Sequence, residues 1–114
     1  MKKDLNSYIL TRQEHRIMKI IWERGETSVK DVYDVLAEKD PKAYSTVLTL
    51  MQILEKKGVL SKKPEGRRYI YSPVLSRRQA MVNQVNDLLD KYFDGSSSML
   101  VDNLMKTGLN EHLL

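Results

Sequence analysis

The chain has 114 residues, 41% hydrophobic and 30% charged, with 19 Lys and Arg against 15 Asp and Glu for a formal charge of +4. This balance excludes a disordered or collagen-like chain and fits one small domain, or one small domain with an appendage. A chain of this size buries only roughly 65% of the surface its unfolded form exposes, so association would add to a thin stability margin. The absence of Cys removes disulfide scaffolds, thiolate zinc sites and cysteine nucleophiles, and fits a reducing compartment. His15 and His112 stand nearly a chain apart, so neither a metal centre nor a His-based catalytic centre is expected, and no cofactor. No run approaches the ~18 apolar residues of a membrane span. The N-terminal residues 1–16 lack the apolar stretch of a signal peptide, so a cytoplasmic protein with no membrane partner is expected.

Thr11 followed by Glu14 is a capping box, in which the Thr hydroxyl and the Glu carboxylate each serve the other's backbone amide. Behind it Ile17, Met18, Ile21 and Trp22 recur at helical spacing, and Gly25 ends a helix over about 12–24. Ser28 to Asp31 repeats the start signal. Val29, Val32, Tyr33 and Leu36 then form the stripe of a second helix, about 29–38, interrupted by Asp40-Pro41. A third helix runs about 45–57, stopped by Gly58. Val47, Leu50, Met51 and Leu54 share one face, and the opposite face carries Ser45, Thr46, Thr49 and Gln52.

The segments 59–63 and 69–73 are β-prone and flank a turn over Pro64 to Arg68, which predicts a two-stranded hairpin with a basic tip. Tyr69 and Tyr71 alternate along the second strand, a pattern of core or rim residues. Ser76 to Gln79 reads as a further capping box before a helix bearing Met81, Val82, Val85, Leu88, Leu89 and Tyr92. Residues 95–98 break the chain. A short helix with Met99, Leu100, Val101, Leu104 and Met105 runs up to Gly108, and Leu109 to Leu114 follow as a short apolar end.

Charge is uneven along this order. Residues 1–75 hold 15 basic and 10 acidic side chains, whereas residues 76–114 hold 4 and 5. Within 42–72 seven cations face two carboxylates, which suits a polyanion.

Three helices followed by a basic-tipped hairpin is the order of a winged helix-turn-helix, whose third helix enters the DNA major groove while the wing lies on the adjacent backbone or minor groove. The expected fold class is therefore mainly α, a winged helix-turn-helix over 1–74 followed by a helical dimerisation domain over 75–114. Short hydroxyl and amide side chains on a slim helix face can bond base edges, and an Arg pair can reach phosphates. The candidate DNA-binding residues are Lys42, Tyr44, Ser45, Thr46, Thr49, Gln52, Arg67 and Arg68. The candidate dimerisation residues are Met81, Val85, Leu88, Tyr92, Leu100, Val101, Leu104 and Met105. Two apolar stripes outside a domain with its own core are covered most economically by a second copy about a twofold axis. The alternative to a DNA-binding regulator is a winged-helix adaptor that meets protein through the same helix. An enzyme is disfavoured by the lack of any nucleophile–base pair, metal constellation or glycine-rich phosphate loop.

Leu10-Thr11 with Glu14 and Ile17-Met18, Trp22, Thr46-Val47-x-Thr49 with Leu54 and Lys57-Gly58, Tyr69-x-Tyr71-Ser72-Pro73, and the Phe93-Asp94-Gly95 break together resemble the penicillinase-repressor family of the BlaI, MecI and CopY type. The resemblance implies a homodimeric repressor on a palindromic double-stranded DNA operator. It carries the recognition positions onto Thr46 and Thr49, with Tyr44 and Ser45 just ahead. Many members have Arg directly before the Leu that matches Leu54, where this chain has Ile53. The cysteine cluster of the copper-responsive branch is absent here. The β-lactam-responsive branch is inactivated by a regulatory protease at an Asn-Phe bond, and the aligned pair in this chain is Asn103-Leu104.

Overall fold

A computed structural model describes residues 4–39 and 41–107. Its elements are α1 (Arg12–Arg24), α2 (Val29–Lys39), α3 (Tyr44–Lys56), β1 (Leu60–Glu65), β2 (Arg68–Pro73), α4 (Arg77–Tyr92) and α5 (Ser97–Lys106). This is the expected mainly helical winged helix-turn-helix, with two further helices after the hairpin. The expectations for Asp40, for Gly108 and for the end segment Leu109 to Leu114 lie outside the described residues. The backbone packs as two compact units, Met1–Ala80 and Met81–Leu114, divided inside α4.

Local signals set most of the element ends. The Thr11 hydroxyl accepts from the Glu14 amide at 3.1 Å, and the Glu14 carboxylate accepts from the Thr11 amide at 2.9 Å, completing the box that opens α1. The Ser28, Ser76 and Ser96 hydroxyls accept from Asp31, Gln79 and Met99 in the same way, opening α2, α4 and α5. At the end of α3 the Gly58 amide donates to the Glu55 carbonyl at 3.0 Å and the Val59 amide to the Leu54 carbonyl at 2.9 Å. That pair of bonds is a Schellman stop, and it needs the left-handed backbone that Gly58 adopts at φ 84°. The stop and the Ala43 cap place α3 one residue earlier at each end than expected from the apolar stripe.

The core of the first unit gathers the predicted stripes. Ile17, Met18 and Ile21 from α1, Val32 and Leu36 from α2, and Val47, Met51 and Leu54 from α3 are buried with Val59, Leu60, Tyr71 and Leu75. Leu50, expected on the inner face of α3, is only half-buried. The Trp22 indole packs at the edge of this core and donates to the Leu75 carbonyl at 2.9 Å, fixing the residues that lead into α4.

The hairpin is tighter than its sequence suggests. Pro64 and Glu65 belong to β1, paired with Tyr69 and Arg68, so only Gly66 and Arg67 form the turn. Gly66 has φ 64°, the left-handed geometry that a two-residue hairpin of the twist-compatible kind requires at its first position. Pro64 lacks an amide donor, which an edge strand tolerates. The segment joining α1 to α2 adds a single isolated rung on the other edge of β2: Thr27 pairs antiparallel with Tyr71. Among the described residues, no helix is long and apolar enough to cross a membrane.

Candidate nucleic-acid interface

The face of α3 that the core does not use is polar and open. Ser45, Thr46, Thr49 and Gln52 are all exposed, as the 3.6-residue period requires once Val47, Met51 and Leu54 are committed inward. Ser45, Thr46 and Thr49 border a shallow depression of about 250 Å³ floored by Leu50. The N-terminus of α3 differs from those of the other helices, because its N-cap is Ala43 and no side chain accepts from its first amides. The Thr46 and Val47 amides donate to the Ala43 carbonyl at 3.0 and 3.2 Å, which leaves the Tyr44 and Ser45 amides for whatever meets the helix end, where an anion is favoured.

A second concavity, about 390 Å³, lies between the start of α2, α3 and the wing. It brings together Tyr44, Gln52, Arg67 and Arg68 from the expected set. It also contains residues that sequence reasoning missed: Ser28, which caps α2, Lys30 from α2, and Lys62 and Tyr69 from the wing. No lining residue is a carboxylate, and four carry positive charge. Lys42 lines neither concavity and is half-buried in the loop before α3.

The two wing tyrosines have separate fates. Tyr71 is 2% exposed and belongs to the core, and burial pushes its hydroxyl above the usual phenol range while Lys62 opposes that shift. Tyr69 is 49% exposed, with the Lys62 ammonium 4.6 Å from its ring centroid. The signal for Lys62 was present in the alternation of β1: it stands opposite Tyr71, so it shares a face with both tyrosines.

On the other flank of α3, Glu14 is 3% exposed and accepts from the Tyr8 hydroxyl at 3.1 Å through either oxygen. Lys57, just past the end of α3, approaches the same carboxylate at 3.8 Å and lies 5.4 Å from the Tyr8 ring centroid. Its hydrogen bond to Tyr8 raises the lysine's pKa, and burial raises that of Tyr8. This cluster ties the start of α1 and the preceding segment to the end of α3.

In the second unit the expected stripe residues face outward. Met81 is 60%, Val85 47%, Leu88 37% and Tyr92 73% exposed. On α5 Val101 and Met105 are exposed, and Leu100 and Leu104 are half-buried. The Asn103-Leu104 bond lies within α5, where the exposed Asn103 amide donates to the Met99 carbonyl at 2.9 Å. Among the described residues no group of three or more His, Asp or Glu side chains is arranged to hold a metal ion.

A family model described as penicillinase repressor matches residues 10–113. An uncharacterised 16.5 kDa protein of Latilactobacillus sakei is 34% identical over 85 residues, 75% of this chain and 58% of that protein. The transcriptional regulator BlaI of Mycobacterium tuberculosis is 30% identical over 101 residues, 86% of this chain and 73% of its own length. The chain thus spans little more than half the length of the first of these relatives. Among solved structures, monomeric Bacillus licheniformis BlaI in complex with the blaP half-operator superposes with a TM-score of 0.56 at 28% identity, over 69% of this chain and 93% of the other.

Proposed function

This chain belongs to the penicillinase-repressor family, and we propose that it is a transcriptional repressor which occupies a palindromic promoter operator as a homodimer and so blocks polymerase. Family members are transcriptional regulators rather than enzymes. In this reading residues 1–74 bind DNA in the cytoplasm and residues 75–114 join two copies.

One observation carries the reading: an uncapped helix with an exposed Ser/Thr/Gln face stands beside a cationic groove that no carboxylate lines. The hydroxyl face suits base edges in the major groove, and the groove suits the phosphate backbone. The half-operator complex of the B. licheniformis relative supports the same partner. The exposed Met81, Val85, Leu88 and Tyr92 support pairing with a second copy, because a contiguous apolar face in water is covered at a gain proportional to its area. Two reading heads then meet half-sites one helical turn, ~34 Å, or a multiple of it apart. A regulatory protease acting at Asn103-Leu104 would first have to unwind α5, since that bond is helical in the folded chain.

Fluorescence anisotropy against a random duplex, across roughly 50 to 300 mM salt, tests the reading. A repressor gives binding that falls linearly in log–log form, and selection from a random pool then returns an inverted repeat. Absence of salt-dependent binding would instead favour an adaptor that meets protein. Sedimentation at the same concentrations reports whether the binding species is a dimer.

A further inference from the structure

The groove between α2, α3 and the wing holds a lysine that is positioned before any ligand arrives. Lys62 approaches the Glu55 carboxylate of α3 at 3.7 Å on one side and the Tyr69 ring at 4.6 Å on the other. Its side chain is 34% exposed, so the ammonium is restrained yet reachable from the groove. Its sequence neighbour Lys63 points to the opposite face of the strand, is 63% exposed and pairs with Glu26 at 3.3 Å, away from the groove lining. Arg67 and Arg68 sit at the exposed tip and are ion-paired to nothing among the described residues.

We propose that Lys62 and Tyr69 form a built-in seat for one phosphodiester of the DNA backbone, with Lys62 making the ionic contact and the Tyr69 ring holding it in place. The inference rests on the DNA-binding reading above and deepens it by naming a contact between those of α3 and those of the wing tip. A long lysine loses side-chain freedom when it pins a phosphate. A lysine already held between a carboxylate and an aromatic face has lost much of that freedom on folding, so less is lost on binding. Glu55 is the weaker holder, because 3.7 Å is a long ion pair. It can release the ammonium to a phosphate without leaving a buried charge. Of the other cations of the groove, Lys30 from α2 is itself paired with Asp34 at 2.8 Å, so the positive potential around the seat comes chiefly from Arg67 and Arg68 of the wing.

The seat makes two adjacent lysines unequal, which is the basis of the test. Binding of the full-length chain to a random duplex is titrated across salt for Lys62→Met, Lys62→Arg, Lys63→Met, Tyr69→Phe and Tyr69→Ala. Lys62→Met is expected to reduce the log–log slope by about 1 per bound protomer, and Lys62→Arg to retain it. Lys63→Met is expected to leave the slope within experimental error. Tyr69→Phe keeps the ring and the affinity, whereas Tyr69→Ala lowers affinity severalfold with little change in slope. Equal slope losses in Lys62→Met and Lys63→Met would reduce the effect to net charge and overturn the proposal. So would an unchanged slope in Lys62→Met with a lowered melting temperature, which would leave Lys62 as a brace between α3 and the wing. If the unsubstituted chain shows no salt-dependent binding, the DNA reading itself fails, a result separate from either of these.

Discussion

Thr27 and Tyr71 exchange both of their backbone hydrogen bonds, at 3.0 Å and 2.8 Å, although 44 positions separate them in the chain. This single rung joins the loop before α2 to the inner strand of the wing. It holds the two walls of the cationic groove at a set separation, since Lys30 follows Thr27 closely and Tyr69 precedes Tyr71. Thr27 is 3% exposed, so a Pro there would remove the amide donor and leave the Tyr71 carbonyl buried and unpaired, at a cost of about 1–3 kcal/mol. Thr27→Pro is therefore expected to lower the unfolding midpoint and, at temperatures where it is still folded, to weaken DNA binding. Thermal melts paired with anisotropy check this. Native affinity in the folded variant would show that the rung does not position the wing.

Thr46→Ala and Thr49→Ala should affect discrimination more than general affinity. Both side chains are exposed on the reading face and support no core contact, so folding is expected to be unchanged. Loss of a base-edge contact costs about 1–3 kcal/mol against the selected operator and little against random DNA. Comparing the two duplexes for each variant measures the difference. Equal losses on both would assign these hydroxyls to the backbone.

Arg67→Ala and Arg68→Ala should weaken binding to every sequence and lower the salt slope by about 1 for each phosphate contact removed. The tip is exposed and its turn depends on Gly66, so neither change disturbs the hairpin. A slope unchanged in both variants would take the tip out of the interface.

Val85→Asp tests the pairing of chains. Val85 is 47% exposed on α4, so a carboxylate there is harmless to a single subunit. Placed against the same surface of a second copy, it must be desolvated without a partner. Self-association is expected to weaken by two or more decades, at about 1.4 kcal/mol per decade. Sedimentation equilibrium reads this directly, and operator binding should weaken in parallel. A variant that still sediments as wild type would move the interface away from α4.

Alkaline pH should loosen the winged unit. Burial raises the pKa values of Tyr8 and Tyr71 above their ordinary value of 10.0, and the hydrogen bond to Tyr8 raises that of Lys57 above 10.5. A group whose folded pKa is raised contributes stability that is complete below its unfolded value and is lost as pH rises through the folded one. These groups therefore add no slope between about pH 7 and 9, and stability falls above about pH 10. Urea midpoints at pH 8.5 and 10.5 are expected to differ less in a Tyr8→Phe, Tyr71→Phe double variant than in the wild type. An identical fall in both would assign the loss to other groups.

Nearly all of the element order was legible from the chain alone, because its signals are local. Thr11 with Glu14, and the serines at 28, 76 and 96, cap helices through atoms three residues apart. Gly25 and Gly58 stop helices through a backbone conformation that other residues resist. The polar face of α3 follows from the apolar face by period alone. Tertiary packing decided what depends on distant partners. It sent Tyr71 into the core and left Tyr69 outside, although both have the same alternation. It also set Lys62 against Glu55 and Tyr69 while Lys63 went to Glu26. Glu14 could be read as a cap, but its burial under Tyr8 and its approach to Lys57 required α1 and α3 to meet. Hydrogen bonds and steric limits within a few residues act wherever those residues occur. Which side chain is shielded, and which cation is left for a ligand, is fixed only when segments far apart in the chain compete for the same surface.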